Sequence, residues 1–88
     1  MRVVVVYRQN TDYSRSVETF VSDFTRQTGR TLETVDPDSL DGITFCSSYD
    51  IIEYPSVIAL SHDGQVQNIW KSTMLPTISE VSYYATQN

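Results

Sequence analysis

Eighty-eight residues leave room for one small hydrophobic core, because a divided chain would give each half fewer than the roughly 50 residues a self-supporting unit needs. Hydrophobic types at 40%, with six tyrosines, three phenylalanines and one tryptophan, supply that core, and charged types at 19% are too few for a disordered chain. Six basic against eleven acidic residues give a net charge of -5, which repels phosphate backbones and anionic lipid, so neither nucleic acid nor a membrane is an expected partner.

The longest apolar run, Val3 to Tyr7, is far short of the ~18 residues of a spanning helix, and no signal peptide is expected ahead of it. A cytoplasmic, soluble protein is expected. A lone cysteine, Cys46, excludes an internal disulfide and any cysteine-built zinc site, and the single histidine, His62, does not fill the gap, so no metal is expected.

In chain order, Val3-Val4-Val5-Val6-Tyr7 is β-branched without alternation, the pattern of a strand covered on both faces, and predicts a first strand over residues 2–8. Val17, Phe20, Val21 and Phe24 then recur at i, i+3, i+4 and i+7, which predicts an amphipathic helix running to Gly29. Asp12 or Ser14 is its expected N-cap, and Gly29 suits the left-handed stop. Thr31 to Val35 alternates polar and apolar and is broken by Pro37, a short strand at a sheet edge. Ser39 to Tyr49, with Leu40, Ile43, Phe45 and Cys46 as its apolar positions, predicts a second helix capped by Asp38 or Ser39 and weakened by Gly42. Ser56 to Ser61 and Gln65 to Trp70 flank Asp63-Gly64, a hairpin signal. Pro76 is expected to open a last helix, with Ile78, Val81 and Ala85 on its apolar stripe. The order β-α-β-α-β-β-α makes the fold class α/β. A parallel first pair and an antiparallel hairpin give a mixed four-stranded sheet with helices on both faces.

That order, the segment Tyr49-Asp50-Ile51-Ile52-Glu53-Tyr54-Pro55 entering the third strand and the Asp63-Gly64 turn after it resemble the thioredoxin-like superfamily over nearly the whole chain. The resemblance implies a cis peptide between Tyr54 and Pro55. It also implies chemistry at the start of the first helix, where that superfamily carries Cys-x-x-Cys and the helix terminus stabilises a thiolate. Asp12-Tyr13-Ser14-Arg15 stands at or near that position without a cysteine, and thiol exchange through it has no nucleophile. The glutathione-binding turn of glutaredoxins corresponds to Lys71-Ser72-Thr73-Met74-Leu75, which lacks both glycine and acid, so no cofactor is expected.

Few residues remain to carry chemistry. Cys46, next to Phe45 and three residues after Ile43, reads as a packing residue, the alternative being a regulatory thiol. His62 belongs to a solvated turn, and Asp36, Asp38 and Asp41 lack the spacing of a calcium loop. Arg8, Ser14 and Arg15 form a candidate anion site at the helix terminus, weighed against plain capping. In the superfamily the loop after the first strand, the turn before the third and the loop after the fourth meet on the rim that receives extended polypeptide. Tyr13, Tyr54, Pro55, Met74 and Leu75 are the candidate binding residues there, with packing over the core as the competing reading. The expected function is therefore a redox-inactive module that binds a protein or peptide, against the alternative of a residual redox role for Cys46. An enzyme using carboxylates or the arginines on a phosphorylated ligand has no supporting constellation.

Overall fold

A computed structural model describes residues 2–71 and 75–86. Its elements follow the expected order: β1 (Arg2–Val6), α1 (Ser14–Thr28), β2 (Glu33–Val35), α2 (Leu40–Tyr49), β3 (Ser56–Leu60), β4 (Val66–Lys71) and α3 (Ile78–Ala85). The four strands lie in the order β2-β1-β3-β4, with β1 parallel to β2 and antiparallel to β3, and β3 antiparallel to β4.

The two-sided burial of β1 divides the interior. Val3, Val5 and Tyr7 face one side, where Val57, Ala59, Val17, Phe24, Leu32 and Val81 complete a core under α1 and α3. Val4 and Val6 face the other, with Ile58, Leu60, Cys46 and Ile51. A strand with polar residues at alternate positions could not serve both layers, which is why the valine run is uninterrupted.

Several boundaries move. β1 ends at Val6, although the Tyr7 N–H still reaches the Val35 carbonyl at 3.1 Å. β2 shrinks to three residues because Leu32 turns into the core under α1. Neither Asp12 nor Ser14 caps α1. Tyr13 is the N-cap residue, without a side-chain cap, because the Ser14 hydroxyl turns back to donate to the Thr11 carbonyl at 2.8 Å. Gly29 does end the helix, at φ 73, a backbone that costs a glycine little. Pro76 precedes α3 rather than opening it. Thr77 is the N-cap, and it exchanges hydrogen bonds with Glu80 in a capping box.

The inward face of α2 is not the one its most apolar residues suggest. Gly42 and Cys46 are buried, with Phe45 and Tyr49 packed beside them, a stripe at i, i+3, i+4 and i+7. Leu40 and Ile43 are 85% and 55% exposed. The Gly42 backbone sets this orientation by passing so close to the preceding loop that a β-carbon there would lie 1.8 Å from the Asp36 carbonyl oxygen. The Ser39 hydroxyl, which receives the Gly42 N–H at 2.9 Å, fixes the same turn.

Candidate functional site

β1 runs antiparallel to β3, with Val6 opposite Ser56, so the chain leaving β1 and the chain entering β3 meet at one end of the sheet. The loop leaving β1 closes on itself. The Arg8 N–H donates to the Tyr13 hydroxyl at 3.2 Å, and the Thr11 hydroxyl donates to the Arg8 carbonyl at 3.1 Å. The segment entering β3 turns at a cis peptide between Tyr54 and Pro55. The Ser56 hydroxyl, donating to the Glu53 carbonyl, braces the turn. No hydrogen bond engages the Tyr54 N–H or C=O among the described residues.

Between these segments lies a small pocket of about 100 Å³, lined by Tyr13, Ser16, Val17, Pro55 and Leu75. Tyr13, Pro55 and Leu75 are thus brought together as the rim reading anticipates, and α1 adds Ser16 and Val17. Val17 belongs to the apolar stripe of α1, and the face that buries it also borders the pocket. Tyr54 does not join them. Its ring packs with the α2-side core, beneath the Arg8 guanidinium at 4.7 Å, and its hydroxyl donates to the Ile51 carbonyl at 3.4 Å. Burial, and next the adjoining Cys46 thiol, push the Tyr54 hydroxyl above its ordinary 10.0. Met74 lies outside the described residues.

The three anion-site candidates do not converge. Arg8 makes a bidentate pair with Asp38, Nε to Oδ2 at 3.0 Å and Nη2 to Oδ1 at 3.3 Å, and the Ser14 hydroxyl is spent on Thr11. Arg15 is exposed, with no ion pair among the described residues. Asp38 already supplies the anion that Arg8 would recruit. Asp38 and Asp36 are committed to local structure, the latter accepting the Asp38 N–H at 2.9 Å. Pairing across thirty residues leaves no local signal in a sequence, so the Arg8–Asp38 contact could not be foreseen. Cys46 is 7% exposed, on the far side of the sheet from the pocket. His62 lies exposed in the hairpin turn, where the Ser61 N–H reaches the Gln65 carbonyl.

A mixed sheet in the order β2-β1-β3-β4, two helices on one face and one on the other, and a cis proline entering β3 define a thioredoxin-like fold. Among solved structures the chain is similar to thioredoxin 1 from the thermophilic eubacterium Thermosipho africanus TCF52B. The TM-score is 0.66 at 13% identity, over 97% of this chain and 90% of that one. At that identity the likeness is one of fold. Neither a family model nor a curated protein matches the sequence. None of the helices among the described residues is long and apolar enough to cross a membrane.

Proposed function

We propose that this chain is a redox-inactive thioredoxin-like domain that binds an extended stretch of polypeptide at the Pro55 rim. The observation that carries the reading is the apolar pocket of Tyr13, Val17, Pro55 and Leu75 beside a Tyr54 backbone that lacks partners among the described residues. A peptide laid along that backbone would form ladder hydrogen bonds and insert one side chain into the pocket, the usual division between affinity and specificity in strand addition. At about 100 Å³ the pocket is well below the ~300 Å³ of small-molecule sites and suits one side chain.

Redox inactivity rests on the single cysteine, which sits in α2 and not at the start of α1. A dithiol cycle needs a second thiol, and a monothiol cycle needs an accessible one. The alternative of a residual redox role for Cys46 requires that its thiol, 7% exposed, become reachable. Reduction of insulin disulfides or of a glutathione mixed disulfide is expected to stay at background, and turnover abolished by Cys46→Ser would overturn the reading. Binding is tested by selecting peptides from a random library on the intact protein and repeating the selection on Leu75→Ala. Enrichment of extended sequences that Leu75→Ala fails to retain supports the rim; enrichment unaffected by that change places binding elsewhere.

A further inference from the structure

The helices α1 and α2 turn different faces to solvent. Every exposed residue of α1 is polar, whereas α2 presents Leu40 and Ile43, 85% and 55% exposed, and Ile52, 82% exposed, follows just beyond its C-cap. We propose that this outer face of α2 docks a cationic amphipathic helix of another polypeptide.

Geometry supplies the apolar half of the surface. Leu40 and Ile43 stand one turn apart, and so side by side on the helix. The close approach of Gly42 to the Asp36 carbonyl, with Cys46 turned to the sheet, holds both of them outward. Thr44 and Ser47, each one turn further on, are exposed, short and uncharged, which leaves room for the side chains of a partner.

Charge names the partner. Seven of the eleven acidic residues and none of the six basic ones lie between Thr31 and Gln65. Glu33 pairs with Arg2 and Asp38 with Arg8. The other five, Asp36, Asp41, Asp50, Glu53 and Asp63, are exposed and make no ion pair among the described residues. They account for the whole net charge of -5, because the four acidic and four basic residues left elsewhere cancel. The last turn of α2 carries no basic residue, so the carbonyl end of the helix adds to this negative field. A second copy of the chain would bring five more negative charges to the same face and is repelled. A cationic helix is attracted, its leucines seating against Leu40 and Ile43 while its lysines or arginines meet Asp36 and Asp41 at one end of α2 and Asp50 and Glu53 at the other.

The experiment is an amide NMR titration of the full chain with a leucine–lysine peptide of about 14 residues at helical spacing, enough to span the roughly 15 Å of α2. A scrambled peptide of the same composition and one with glutamate in place of lysine serve as controls. The amphipathic peptide is expected to move the amides of Leu40 to Asp50 and of Ile52 saturably. The scrambled peptide on wild type, or the amphipathic one on the double variant Leu40→Gln, Ile43→Gln, should bind at least roughly tenfold more weakly, and the glutamate peptide not at all. Both replaced residues are exposed, so the melting temperature of that variant should move little. Equal binding of the scrambled peptide, shifts centred away from α2 or absent, or indifference to the double variant would each overturn the proposal, whatever the rim binds. Self-association of the free chain that the same variant abolishes would assign the face to a second copy and overturn it equally.

Discussion

Gly42 sits inside a helix, where alanine is ordinarily favoured by about 1 kcal/mol. Here the sign reverses, because the added carbon would meet backbone, the Asp36 carbonyl carbon at 2.7 Å as well as its oxygen, and backbone does not swing aside. Gly42→Ala is expected to cost about 3 kcal/mol, the upper end of overpacking penalties, and to lower the melting temperature by roughly 10 °C or more. A thermal melt of the single variant decides it; an unchanged or raised midpoint contradicts the close approach. Cys46 is a second residue whose surroundings fix its behaviour. Buried between the sheet and α2, its thiol should react with a thiol reagent far more slowly in the native protein than after unfolding. Labelling of the folded chain at the rate of a free cysteine would favour the redox alternative.

Elements differ in how plainly the sequence announces them. β1 is legible because five β-branched or aromatic residues in a row satisfy both layers of a sandwiched strand, and α1 because one stripe recurs through two turns. α2 is legible as a helix but not in its orientation. Leu40 and Ile43 outweigh Gly42 on any hydropathy scale, while the decisive contact is a backbone approach that no side chain announces. The capping box of α3 had a written signal in Thr77-Ile78-Ser79-Glu80, hidden by the stronger expectation attached to Pro76. That box titrates. Hydrogen bonds from the Thr77 N–H, then from its hydroxyl, hold the Glu80 carboxyl below its ordinary 4.5. A carboxyl depressed in the folded state contributes stability above its unfolded value, and the contribution is lost as pH falls through the folded one. The first turn of α3 should therefore loosen only on acidification below 4.5, read as faster amide exchange at Glu80. Glu80→Gln should remove most of that pH dependence, and loosening already at neutral pH would contradict the box.

Across the whole molecule, the rim is where legibility ran furthest and then stopped. Chain order brought Tyr13, Pro55 and Leu75 to one pocket, since crossover and hairpin connections fix which loops share an end of the sheet. Which way the Tyr54 ring turns was decided by Arg8 and the α2-side core, distant partners that pattern alone does not reveal. The central claim is that this pocket binds polypeptide and does not merely lid a small core. It is tested most directly by measuring, for Tyr13→Ala and Leu75→Ala together, the affinity for a peptide selected on the wild type and the melting temperature. The account predicts binding at least roughly tenfold weaker with melting shifts within about 5 °C, under 1.5 kcal/mol for a domain of this size. Melting losses beyond 10 °C, as expected for large side chains removed from a core, with peptide affinity unchanged would contradict it.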